Sequence, residues 1–117
     1  MKWLDIRFTR EKQTPDVPEL FNLETAKYIG PQYIDSQVWT IVYHTKTDPE
    51  QFYQDEFAFY TKYFWPEELI EDYLTDLQKL ISAFICSKEQ MLLLQMDKPE
   101  EFKIKLKHLQ EKELLPS

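Results

Sequence analysis

The 117 residues carry a net charge of −7, are 43% hydrophobic and 15% aromatic, and include one glycine and one cysteine. That length has room for a single domain around one core, and the aromatic content separates the chain from disordered sequences despite its charge. A lone cysteine excludes an internal disulfide, a lone glycine excludes glycine-rich phosphate loops and nucleophile elbows, and no apolar run can span a bilayer. Together with a charged N-terminus that lacks a signal-peptide core, these features predict a cytoplasmic protein with no membrane segment.

Residues 2–8 alternate, with Leu4, Ile6 and Phe8 on one side and Asp5 and Arg7 on the other, which predicts a half-buried strand. Residues 36–45 are rich in β-branched and aromatic side chains and form the strongest predicted strand. Between them, residues 11–18 read as the longest loop, and Gly30-Pro31 reads as a turn. Pro-Glu recurs at Pro18-Glu19, Pro49-Glu50, Pro66-Glu67 and Pro99-Glu100. Proline is tolerated in a first helical turn and early glutamates suit the positive end of the dipole, so each pair reads as a helix start.

Between Phe52 and Trp65, eight of fourteen residues are aromatic. At 100° per residue seven of them fall within an arc of about 160°, which predicts a helix over 49–64, although Phe57-Ala-Phe-Tyr-Thr-Lys-Tyr also alternates like a strand. Phe57, Tyr60 and Phe64 are expected inside. From Leu69 to Phe84 the apolar residues fill an arc of about 140° without a polar intruder, which predicts a helix over 66–84. Residues 91–96 fit either a buried strand or a capped helix. Residues 99–115 read as a helix in spite of the Lys103, Lys105, Lys107 alternation.

Charge is unevenly distributed. Residues 48–78 sum to −8, more than the whole net charge of the chain. Glu68, Asp72 and Asp76 fall at i, i+4 and i+8, with Glu67 and Glu71 beside them, a spacing at which like charges repel. The plain reading is a solvated face that keeps a small protein in solution; the sharper one is a docking surface for a basic partner. Exposed tyrosines and tryptophan beside acids suit an interface, so Tyr53, Tyr63 and Trp65 stand as candidate anchors and Glu67, Glu68, Glu71, Asp72 and Asp76 as steering charges.

Catalytic and metal chemistry finds little support. His44, His108 and Cys86 have no zinc-ligand spacing, Cys86 reads as a small core residue, and no pair of carboxylates is singled out. No catalytic residue, metal site or cofactor is expected. Direct nucleic-acid binding would rest on the lysines of 103–107, which are interleaved with glutamates. The expected fold class is α+β: one small antiparallel sheet of two or three strands covered by about three amphipathic helices. The expected function is a non-enzymatic interaction module that binds a basic protein. Such a partner could itself bind nucleic acid, giving an inhibitor, an immunity or antitoxin-like neutraliser, or a phosphate mimic. The alternatives are a homo-oligomer built on the aromatic helix, and a small-ligand or enzymatic domain using His44.

Overall fold

Alternation at the N-terminus becomes the central strand of a sheet. The computed structural model describes residues 2–8, 19–32, 37–48 and 51–114. Among them β1 (Trp3–Arg7) lies between β2 (Glu19–Asn22), antiparallel to it, and β6 (Met91–Gln95), parallel to it. Leu4 and Ile6 point into the core with Phe21, Leu92 and Leu94, whereas Trp3, Asp5 and Arg7 take the other face. The ambiguous run at 91–96 is thus a strand, as one of the two readings had it. Its burial alternates although its sequence does not: Leu92 and Leu94 are buried, Met91 is exposed, and Leu93 and Gln95 are partly covered.

β3 (Ala26–Pro31), β4 (Val38–Asp48) and β5 (Gln51–Tyr60) form a second, wholly antiparallel sheet. Here the expectation of a helix over 49–64 is corrected. The strand β5 pairs with β4 from Asp48↔Gln51 to Val38↔Tyr60. Trp39↔Phe59 and Ile41↔Phe57 place large side chains on one inner face, where Trp39, Ile41 and Phe59 are buried. Aromatics at both parities mimic a helical stripe, but an eleven-residue β4 needs a partner for its backbone groups, and aromatic side chains suit a pleated, half-buried surface. The Gly30-Pro31 pair ends β3 and is not a turn, and Glu19 opens β2 and not a helix. The loop expected over 11–18 and the Pro49-Glu50 pair lie outside the described residues.

The rings expected to line a helix instead join the two sheets. Phe8, just after β1, lies 5.5 Å from Phe59 and 5.6 Å from Phe64, and Phe21 on β2 lies 5.3 Å from both Tyr43 and Phe57. Such tilted and edge-on contacts add to plain area burial.

The helix expected over 66–84 starts as a 3₁₀ turn at Glu67–Leu69 and continues as α1 (Ile70–Cys86), burying Ile70, Leu77, Leu80, Ile81 and Phe84. A lysine closes its C-terminal end. Lys2 Nζ donates to the carbonyls of Phe84 (2.9 Å), Ser87 (2.7 Å) and Glu89 (2.5 Å), filling all three of its donor positions at the negative pole of the helix. The last helix, α2 (Glu101–Leu114), sits where residues 99–115 were expected and contributes Phe102 and Leu109 to the shared core. The described fold is therefore α+β with two three-stranded sheets and two α-helices, against the expected single sheet and three helices. No helix among the described residues is long and apolar enough to cross a membrane.

Candidate functional site

Where β5 ends, the chain makes a short excursion whose two ends are fixed in the core. Thr61 is fully buried; its N–H and hydroxyl both donate to Gln37 O, at 3.0 and 2.5 Å. Its own carbonyl accepts from the N–H groups of Phe64 (3.0 Å) and Trp65 (2.8 Å), closing a 3₁₀ turn at Thr61–Tyr63. Trp65 fixes the other end. It is 3% exposed, its ring packs 5.2 Å from Phe59 and 5.6 Å from Tyr73, and its indole N–H donates to Met96 O at 2.7 Å. A buried Trp normally finds such an acceptor.

With both ends held, the residues between and beside them face solvent. Tyr63 is 69% exposed and Tyr60 49%, and their rings lie 6.0 Å apart. Lys62 Nζ sits 5.5 Å from the Tyr63 ring centre, so that face already receives a cation. The acids follow at once: Glu67 and Glu68 in the 3₁₀ turn, Glu71 and Asp72 in the first turn of α1, all four exposed. None of the four carboxylates forms an ion pair among the described residues. Leu69, at the cap position, makes no side-chain capping bond, so early acids also help the helix start through its dipole.

The candidate residues therefore separate. Tyr63, Glu67, Glu68, Glu71 and Asp72 are brought together on one exposed stretch of chain. Trp65 is a core residue and not an anchor, and Asp76 is buried, its carboxylate 3.9 Å from Lys103 Nζ of α2. Both are corrections: Trp65 is drawn in by its hydrogen bond, and Asp76 lies two turns along, where α2 packs. The side chain of Tyr53 lies outside the described residues. Tyr60, expected inside, belongs to the exposed pair. Reading Phe57–Tyr60 with a period of two would have placed it opposite Phe59, on the outward face.

Elsewhere the chemistry is sparse. His44 is exposed on β4, and Cys86 is exposed at the end of α1, which corrects its expected core position. No group of three metal-ligating side chains forms among the described residues. Lys105 on α2 donates to Leu93 O of β6, and burial pushes its ammonium below the ordinary lysine range against the opposing pull of Glu101 and Asp5. In the parallel register, Leu93 turns its backbone away from β1, so this lysine blocks a sheet edge open to other strands. A groove of about 530 Å³ runs between β3 and α1. Compared with known proteins, the chain matches no family model, no curated protein and no solved structure.

Proposed function

We infer that the protein is a non-enzymatic interaction module whose contact surface is the Tyr60–Tyr63 ring pair with Glu67, Glu68, Glu71 and Asp72, and that its partner is a basic protein. One observation carries this reading: four exposed carboxylates without an ion pair among the described residues follow directly on two exposed tyrosines held out by buried anchors. Like charges so close in one helical start repel one another, and a cationic partner would relieve that repulsion while tyrosines supply rigid contact area. A partner that itself binds nucleic acid fits this chemistry, because carboxylates can occupy positions meant for phosphates. The alternative homo-oligomer loses the aromatic helix on which it was to be built, since β5 replaces that helix.

The test is affinity capture from lysate of the source organism at low and high salt, with two baits. One is the wild-type protein and the other carries Glu68→Lys, Glu71→Lys and Asp72→Lys. A basic protein retained by the wild type at low salt, reduced at high salt and missing from the reversed bait supports the reading. An empty capture, or equal retention by both baits, overturns it.

A further inference from the structure

We propose that the basic partner docks by adding an extended strand to the outer edge of β5, a strand in which lysine or arginine alternates with apolar side chains. The proposal rests on the acidic surface being a docking site, and it adds the form the partner takes there.

The edge supplies backbone groups. β5 has β4 on one side only. Thr61 N–H donates to Gln37 O at 3.0 Å, which sets the alternation in the antiparallel register. Asp55, Phe57 and Phe59 therefore turn their backbone groups toward β4, and Glu56, Ala58 and Tyr60 turn theirs away. Two side-chain bonds agree with this. The Thr40 hydroxyl, on β4, donates to Phe57 O at 2.8 Å, and the outward Glu56 N–H donates back to Asp55 Oδ1 at 2.8 Å. Glu56 C=O, Ala58 N–H, Ala58 C=O and Tyr60 N–H are left in a row along the edge, and no other described segment pairs with it. Acceptor, donor, acceptor and donor in that order make a ladder an incoming strand can complete. By contrast, Lys105 occupies Leu93 O on the edge of β6.

The two faces of β5 set the side chains of the newcomer. Phe57 and Phe59 face the core with Trp39 and Ile41, so Glu56, Ala58 and Tyr60 share the outer face. A strand laid along the edge alternates in step, one row of its side chains beside Phe57 and Phe59 and the other beside the exposed Tyr60 and Glu56. Apolar groups suit the first row. Cations suit the second, where an aromatic face and a carboxylate are both within reach.

Charge selects the occupant. From Asp55 to Asp72 the chain carries six acids and one base, Lys62, whose ammonium lies over the Tyr63 ring. Neither Asp55 nor Glu56 forms an ion pair among the described residues. A second copy of this chain, pairing β5 with β5, would bring two such stretches against each other. A basic strand meets them with the opposite sign, while main-chain bonds hold it in register.

The probe is a blocked ten-residue peptide of alternating lysine and valine, with alternating threonine and valine as its neutral counterpart. Amide hydrogen exchange is followed residue by residue by NMR at low salt. Saturating lysine peptide should slow exchange about tenfold or more at Ala58 and Tyr60, and change Phe57 and Phe59 little because they already bond β4. The neutral peptide should protect neither. Ala58→Pro removes the central outward N–H where an edge strand tolerates proline. It should weaken the lysine peptide about tenfold by fluorescence anisotropy, with a melting curve confirming the fold. That pattern bears out the inference. No binding, binding without protection of Ala58 and Tyr60, or equal protection by the neutral peptide overturns it. So does a concentration-dependent dimer that protects the same amides without peptide. Binding that leaves both amides unprotected, yet is lost on reversing Glu68, Glu71 and Asp72, overturns strand addition alone and leaves the acidic docking surface standing. Protection that survives the reversal undiminished keeps the strand site and overturns the surface reading instead.

Discussion

Replacing Trp65 with Phe separates its role in the core from the surface role its sequence context suggests. The indole N–H bonded to Met96 O is removed, leaving a carbonyl in a fully buried residue short of a donor. That loss costs about 1–3 kcal/mol. The smaller ring also gives up part of its contact with Tyr73 and Phe102, whose centres lie 5.6 and 6.0 Å away, at a cost of about 1 kcal/mol. The sum, about 2–4 kcal/mol, is a large part of the total stability of about 5–15 kcal/mol expected for a domain. With a urea dependence of about 1–3 kcal/mol per M, the unfolding midpoint should fall by about 1–2 M, read by circular dichroism. Partner capture per folded molecule should not change. A midpoint within error of the wild type, or a stable variant that loses its partner, would refute the placement of Trp65 as a core anchor, since an exposed aromatic would shift stability by no more than about 0.5 kcal/mol.

Other substitutions probe separate parts of the structure. Lys2→Met removes three donors from the end of α1 and should cost about 2 kcal/mol in thermal or urea unfolding, with Lys2→Arg restoring part of it. Gly30→Ala should cost about 1–2 kcal/mol, because φ is +157° and a Cβ would meet Tyr28 Oη at 3.0 Å. Adding Tyr28→Ala should recover only the steric share, a difference a double-mutant cycle measures. For Lys105, burial lowers the folded-state pKa, so the unfolded chain holds more protons as pH rises toward the ordinary lysine value of 10.5. Wild-type stability should therefore climb relative to Lys105→Met across the alkaline range below that value; equal slopes would remove the buried-ammonium interpretation.

How much of this was legible in the sequence depended on whether one face alone decided the structure. Leu4 and Ile6 alternate with Asp5 and Arg7, and α1 has one clean apolar arc, so these elements were visible; the strand at 38–42 was visible by its β-branched and aromatic composition instead, since Val38, Trp39, Thr40 and Ile41 are all buried. Phe57, Ala58, Phe59 and Tyr60 place apolar groups at both parities, and the choice between helix and strand fell to a partner strand that periodicity does not encode. The same error hid the second sheet, since β3 and β5 are defined by their pairing with β4. At the candidate surface, a count of charge found Glu67, Glu68, Glu71 and Asp72, because exposed acids need no partner to be recognised. Trp65 and Asp76 were misplaced because their burial depends on Met96 and Lys103, roughly thirty residues away in the chain. Thr61 gave no signal at all, although its two bonds to Gln37 O hold the tyrosine pair in place.

The central claim is that the carboxylates from Glu67 to Asp72 steer a basic partner onto the tyrosine pair. Its most direct test is the association rate of the captured partner, measured by surface plasmon resonance across a salt series for the wild type and for the Glu68→Lys, Glu71→Lys, Asp72→Lys variant. Steering by exposed charges is screened beyond about 8–10 Å near physiological salt, so the wild-type rate should fall steeply as salt rises. The reversed variant should associate at least about tenfold more slowly at low salt and show a flat or inverted dependence. Equal rates and equal salt slopes for the two proteins would contradict the claim and leave the acids with no role beyond solubility and the start of α1.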